Sequence, residues 1–579
     1  MLCKKILSRV LALGLVISIF TTASGCNKSQ PANENSQGEK SKKPVTIDWY
    51  FEDAFTASSA NDVAKEIEKQ TGVKINVIAG SPDKSKVMLA GGDVYDLNFV
   101  TNDNIPTVLT NKLALPIDDL LKSNGQNILK YHAKPLAIYK KYKSGGDGKQ
   151  YFLPVLNGNP TGGKVQDFQP NLTSFYTRWD YYKEAGAPEI KTLDEFINVL
   201  AKMQKAHPTT KDGKPVYGIS GWQDWGLWNF ATQFAYPNGM KDMNVMYNQT
   251  PDDNLEASFT DKNSLFWRAA EFYYKANKAG ILDPDFFINK YDNYMAKAKA
   301  GQFLTVPAFW QPDEIYTGVV GNSANPDAKL ASYIGIPIPG DFGYNNTYVN
   351  ESYIGTNGVF QLFIGKDCKV PDRVMDLLNY TFSPEGSRTI FSGVKGTQWD
   401  IVDGKSVVKP ETLEAQKNDK NFLNNTGINA YQKLSGFLPQ SVSEIDKSPM
   451  DLFTYGKAAY ASRNNAGYKD YSDKYGVSVP GELFTKLEKE GKLKAPSYTP
   501  EMKTVMPVIP NDIKKITADI EDYVKKNVSK VVLAKSDAEF ASTKDSMIAD
   551  IKKMGSATAD KWWTENWNKV KGELKEILK

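Results

Sequence analysis

The segment Gly221-Trp222-Gln223-Asp224-Trp225-Gly226-Leu227-Trp228-Asn229 sets three tryptophans among Gly, Gln, Asp and Asn. It is too polar and too broken by glycine for a core helix. Flat rings with hydrogen-bonding groups around them suit a ligand with an apolar C–H face and polar edges, which is the chemistry of a sugar. One or two of these rings would instead fill a core, and Trp228 fits either place. Trp310, in Phe309-Trp310-Gln311-Pro312-Asp313 after an apolar run, is a second aromatic candidate. Tyr344 and Tyr353, with Tyr348 between them, form a third cluster, and Trp399 beside Gly396 a fourth. Among charged residues, Asp53, Asp103, Asp224 and Arg178 fall near predicted strand ends or loops, where they have the chemistry to bind sugar hydroxyls. Arg178 would alternatively pair with an acidic substituent. A surface or turn-stabilising role fits each of the four equally.

Other chemistries are poorly supplied. The two histidines, His132 and His207, lie among Lys, Pro and Ala without a partner at metal-ligand spacing. A His-based zinc site or a Ser-His-Asp mechanism is therefore disfavoured, and no metal or cofactor is expected. Gly145-Gly146-Asp147-Gly148-Lys149 lacks the upstream glycine of a phosphate loop and reads as a turn. The net charge of +4 includes Lys4, Lys5 and Arg9, so the chain beyond residue 25 is close to neutral. Nucleic acid, which needs a concentrated basic excess, is not an expected partner. Cys3, Cys26 and Cys368 are the only cysteines, and the expected losses of the first two leave no internal disulfide.

The elements that must position these residues can be read in order. Residues 1–25 have a basic start, a short apolar run and small residues before Cys26, the pattern of a secretory signal too short to span a membrane. Residues 26–43 contain no large apolar residue after the cysteine and read as a flexible tether. Val45, Ile47, Trp49 and Phe51 alternate with polar neighbours and Tyr50 as a strand. A helix through Val63, Ala64 and Ile67 stops at Gly72, Val73, Ile75 and Val77 alternate again, and 97–100 gives a third strand. Strand, helix, strand in that order begins a parallel α/β sheet, whose ligands sit beyond the carboxyl ends of the strands. That edge would hold Trp49, Tyr50 and Asp53 together with Asp103. At the far end Ser536-Asp537-Ala538-Glu539 is a capping box, and Trp562, Trp563 and Trp567 at helical spacing predict packing of a last helix.

Several stretches carry a resemblance. Gly25-Cys26 resembles the lipobox of bacterial lipoproteins, although Ala23 stands where Leu is usual. The resemblance implies lipidation of Cys26 and attachment to the outer face of the cell membrane through that anchor alone. Asp147-Gly148-Lys149-Gln150-Tyr151-Phe152-Leu153-Pro154, Tyr176-Thr177-Arg178-Trp179-Asp180 with Leu193-Asp194-Glu195-Phe196, Gly280-Ile281-Leu282-Asp283-Pro284, and Phe382-Ser383-Pro384-Glu385-Gly386-Ser387 are similar to segments of bacterial extracellular solute-binding proteins that serve sugar ABC transporters. With the helical tail, the match runs over nearly all of the chain beyond the tether and points to the large lipoprotein branch.

This resemblance implies a two-lobed, periplasmic-binding-protein-like α/β fold of type II, with lobes joined by a hinge of crossing segments. The first lobe is placed at 44–160 and 338–392, the second at 161–337 and 393–579. It implies a monomer that binds an oligosaccharide and delivers it to ABC permease subunits, without catalysis. Some relatives carry a calcium loop where this chain has Pro208-Thr209-Thr210-Lys211-Asp212-Gly213-Lys214, and one carboxylate among lysines cannot supply six to eight oxygen ligands. A glycoside hydrolase is the alternative, since aromatic clefts with carboxylates describe those enzymes too, and its mechanism needs two carboxyls flanking the bond. A peptide-binding protein of the same fold is a further alternative.

Overall fold

The computed structural model describes residues 43–52, 55, 57–158, 173–244, 246–338, 344, 353–354, 360–456, 465–497, 499 and 501–579. The strands in chain order are β1 (Val45–Phe51), β2 (Val73–Ala79), β3 (Leu97–Thr101), β4 (Leu153–Pro154), β5 (Thr173–Arg178), β6 (Lys241–Asn244), β7 (Tyr247–Gln249), β8 (Leu255–Ala257), β9 (Thr305–Ala308), β10 (Tyr333–Gly335), β11 (Phe360–Ile364), β12 (Trp399–Val402) and β13 (Lys405–Val408).

The strand, helix, strand opening forms as expected. Helix Asp62–Thr71 starts where the Asn61 side chain accepts the Ala64 amide, and stops at Gly72, whose φ of 66° is left-handed. β1 and β2 pair in parallel with Trp49 opposite Val77, and β3 joins the other side of β1 with Leu97 opposite Trp49. The sheet order is β2-β1-β3-β11-β4. β11 arrives from far along the chain and runs antiparallel to both neighbours, with Leu362 opposite Phe99 and Leu153. β4 therefore runs in the same direction as β3, and their carboxyl ends share one edge of the sheet.

A second sheet has the order β10-β5-β9, all antiparallel, and β5 is buried along its full length. These two sheets, each wrapped in helices, are the two-lobed α/β fold that the chain predicts. One face of the first sheet packs Ile47, Trp49, Phe99 and Leu362 against helices Pro371–Thr381 and Pro384–Ser392. The opposite face contributes Val100, Phe152 and Phe363 to a large core shared with Phe175, Phe234 and Phe272 and with the C-terminal helices.

The chain division differs from expectation in one stretch. Trp399, Val408, Phe422, Tyr431, Leu434 and Phe437 all lie in the core of the first sheet, so the stretch that carries them packs on the first lobe, not the second. Backbone hydrogen bonds from Asn157 to Gly436 and from Leu438 to Asn157 fasten it there. The tail is helical as predicted: Asn511–Val532, Asp537–Lys553 and Ser556–Leu578 pack together, with Trp563 and Trp567 buried and Trp562 half-buried. Ser536 accepts from the Glu539 amide, as a capping residue should.

Candidate ligand-binding site

The carboxyl end of β9 leads into Phe309 and Trp310, and beside them lies the tryptophan-rich loop. Gly226 sits at φ 66°, a left-handed turn residue that lets the loop reverse between Trp225 and Trp228. The loop is pinned by the Gln223 amide donating to Asn289 O (2.9 Å) and by Asp224 Oδ1 accepting the Tyr291 amide (3.0 Å). These bonds carry Tyr291, the first residue of helix Tyr291–Lys299, against the loop.

Trp225 and Tyr291 stack with centroids 4.5 Å apart and 23° between their planes. Trp228 stands 5.8 Å from Trp225 and 6.0 Å from Trp310, and Trp310 Nε1 donates to Tyr291 Oη at 3.1 Å. Phe309 lies edge-on to Trp310 at 5.4 Å. The rings form one contiguous surface, with Trp225 43 % and Phe309 38 % exposed. Beneath them Trp222 is wholly buried, 5.2 Å from Trp225 and 4.8 Å from Tyr294, and acts as the floor.

The carboxyl edge of the first sheet presents a second group. The Lys433 ammonium lies 5.1, 4.6 and 5.0 Å from the ring centres of Phe51, Phe99 and Phe360, near enough for cation–π attraction. Glu52, the residue after β1, is buried; that burial pushes its carboxyl upward, opposed by a hydrogen bond from Ser85 and by the charges of Lys433 and Lys86. Asp103 is exposed in the short turn after β3.

The remaining candidates take other places. Trp49 is fully buried in the first core beside Phe51 and Tyr431, which corrects its reading as a ligand contact. Tyr50 is equally buried, stacked on Tyr95, with its hydroxyl 3.0 Å from Ser85 Oγ. Both sink because β1 is central and covered on both faces at its carboxyl end. Arg178 is spent inside the second lobe: its guanidinium grips Asp180 in two bonds of 2.9 and 2.6 Å, and Ser323 shares the network. Trp399 is buried in the first lobe, donates to Gly393 O at 2.9 Å and faces the Arg388 guanidinium. Asp224 positions the loop through its bond to the Tyr291 amide. Tyr344 is half-buried and pairs by an isolated bridge with Lys494. Tyr353 donates its amide to Glu501 and lies 4.9 Å from the Lys134 ammonium. Asp53 and Cys26 lie outside the described residues.

Trp222 likewise moves from candidate contact to floor. Trp225 and Trp310 lie in the one aromatic surface, with Tyr291 and Phe309 beside them, and Lys433, Glu52 and Phe360 lie at the first-sheet edge; these last five were not singled out from the sequence. Phe309 adjoins Trp310 and could have been taken with it; Tyr291 and Lys433 carry no local signal. Among the described residues no group of three or more His, Cys, Asp or Glu could hold a metal, and Asp212 is engaged by Thr210 and Lys214. No helix among them is long and apolar enough to cross a membrane.

Two α/β lobes, with polar and aromatic groups at the carboxyl ends of β1 and β3 in one and of β9 in the other, have the architecture of a periplasmic-type binding protein. Residues 62–397, more than half of the chain, match the family of bacterial extracellular solute-binding proteins, and the chain belongs to that family. No curated protein sequence matches it. Solved structures with a similar fold include an extracellular solute-binding protein from Bifidobacterium longum subsp. infantis at 14 % identity and a TM-score of 0.60, covering 92 % of this chain and 99 % of that one. The Streptococcus pneumoniae ABC-transporter substrate-binding protein FusA, in complex with kestose, matches at 15 % and 0.54, covering 91 % and 100 %. A solute-binding protein described as HMO-binding and ABC-transporter-associated, also from B. longum infantis, matches at 13 % and 0.55, covering 91 % and 99 %.

Proposed function

We propose that this protein captures an oligosaccharide between its two lobes and delivers it intact to the permease of an ABC transporter. The observation that carries the reading is the contiguous surface of Trp225, Tyr291, Trp228, Trp310 and Phe309, which offers several stacking faces to a chain of sugar rings. Across the cleft, Glu52 and Lys433 at the first-sheet edge supply an acceptor and a donor for hydroxyls. Contacts to both lobes are complete only when the lobes approach, so ligand shifts the population toward the closed state. The kestose complex of FusA and the HMO-binding relative support the sugar class without fixing its linkage.

The protein acts as a lipid-anchored monomer on the outer face of the cell membrane, held by acylated Cys26 and the tether that follows it, and it turns over nothing. Replacing Cys26 with Ser should release it into the medium, and retention of that variant at the membrane would contradict the anchor. The binding claim is tested by a thermal-shift screen of residues 44–579 against neutral and acidic oligosaccharides, with each mixture analysed afterwards for cleavage. A ligand at 100 times its Kd adds about 2.7 kcal/mol of stability. A shift with the sugar recovered intact supports the proposal. Cleavage products would make the protein a hydrolase, and a shift with peptides alone would make it a peptide carrier.

A further inference from the structure

A cavity of about 770 Å³ runs along the outer side of helix Ile105–Thr110. It begins at Asn102, near the carboxyl edge of the first sheet, and ends at the turn before β4. Because β4 runs with β3, that turn sits at the opposite edge of the sheet from the proposed sugar site. The turn end of the cavity carries Lys112, Lys143 and Lys149, and the wall is apolar through Ile105, Leu109 and Tyr142.

The lysines are unevenly provided for. Their neighbour Lys140 forms an ion pair with Asp118 at 2.6 Å. Neither Lys112, Lys143 nor Lys149 has an ion pair among the described residues, and the side-chain nitrogen of Lys143 has no hydrogen-bond acceptor there. Asp147, the one acidic residue of the lining, already accepts from the Lys149 amide (2.9 Å) and the Tyr151 hydroxyl (2.7 Å). Burial pushes the Lys143 ammonium downward with no opposing carboxylate. Lys143 is half-buried, so its ammonium keeps only part of its water and no carboxylate replaces the rest, while Lys112 and Lys149 are exposed; an anion placed beside Lys143 would supply the missing partner. The Ser144 hydroxyl accepts the amides of Gly146 and Gly148, which holds the turn open in this shape.

From these observations we infer that the cavity between helix Ile105–Thr110 and the 143–149 turn is a second ligand site, for a small organic anion with a phosphate or carboxylate head on an apolar body. The head meets Lys143, with Lys112 and Lys149 adding charge, and the body lies on Leu109 and Tyr142. The inference does not depend on the identity of the sugar.

The test is a calorimetric titration of residues 44–579 with phenyl phosphate, benzoate and the uncharged benzyl alcohol. The expected result is saturable binding of at least one of the two anions, weaker binding of benzyl alcohol, and a loss of about tenfold in Lys143→Met. Lys112→Met gives a smaller loss, and Trp225→Ala gives none. The inference is overturned if neither anion binds, if benzyl alcohol binds as well as they do, or if Lys143→Met and Lys112→Met both bind as the unaltered protein does.

Discussion

Trp225 and Tyr291 lie face to face at 4.5 Å, and Trp222 stands edge-on beneath both, at 5.2 and 5.0 Å. The two tryptophans of one short loop therefore have opposite duties: Trp225 offers a ring to solvent, and Trp222 holds up the ring that does so.

This division separates two variants. Trp225→Ala should weaken oligosaccharide binding by about 1.4–2.8 kcal/mol, tenfold to a hundredfold, and leave the melting temperature almost unchanged. Trp222→Ala should cost about 3–5 kcal/mol of folding stability through the cavity it leaves. Chemical denaturation and titration of both variants check the pair.

The buried ion pair of the second lobe predicts a purely structural defect. Asp180→Asn leaves the Arg178 guanidinium in the interior with its charge unopposed and should cost about 3–5 kcal/mol. The fraction that folds should bind ligand with unaltered affinity, because Arg178 does not reach the surface. A loss of affinity in the folded fraction would return Arg178 to the binding site.

His132 sets a pH dependence of stability. It is buried, with Nε2 2.9 Å from the Phe382 carbonyl, to which it donates, and burial lowers its pKa from 6.5 to about 4 despite that bond. Between those values the unfolded chain takes up a proton that the folded chain refuses, so stability rises with pH. The contribution is complete above about pH 6.5 and is lost as pH falls toward 4, to a limit of roughly 3 kcal/mol. Denaturation curves at pH 4.5 and 7 for the unaltered protein and His132→Gln should differ in slope by that contribution.

The last helix predicts a cooperative core. Ser556–Leu578 buries Trp563 against Tyr247 at 4.8 Å and sends Glu573 to the Tyr142 hydroxyl at 2.8 Å, touching elements of both lobes. Trp567→Ala should cost about 3–5 kcal/mol. Deleting the chain from Trp567 onward should lower the melting transition of the remainder as one unit instead of releasing a separate domain.

Much of the fold was legible where local signals agree. Alternation marked β1 and β2, residues 97–100 read as a third strand, Gly72 stopped the first helix, and Ser536 announced a helix of the tail. What alternation does not tell is how many faces of a strand are covered. β1 is central, so Trp49 and Tyr50 point to opposite sides and both are buried. Arg178 looked available because its partner, Asp180, comes within reach only when the chain turns from β5 into the helix that follows. The same limit hid the proposed binding surface: Trp225 was visible in its loop, but Tyr291 joins it through a backbone bond to Asp224 that no spacing reveals. The packing of Tyr431 and Phe437 on the first sheet is likewise a contact between distant parts of the chain.

The most direct measurement is a calorimetric titration of residues 44–579 and of Trp225→Ala with the oligosaccharide selected by thermal shift, followed by analysis of the recovered sugar. Stoichiometric binding by the unaltered protein, affinity lowered at least tenfold in Trp225→Ala, and sugar returned with every glycosidic bond intact are the expected results. Equal affinity in the two proteins, or cleaved sugar from either, would contradict the proposed function.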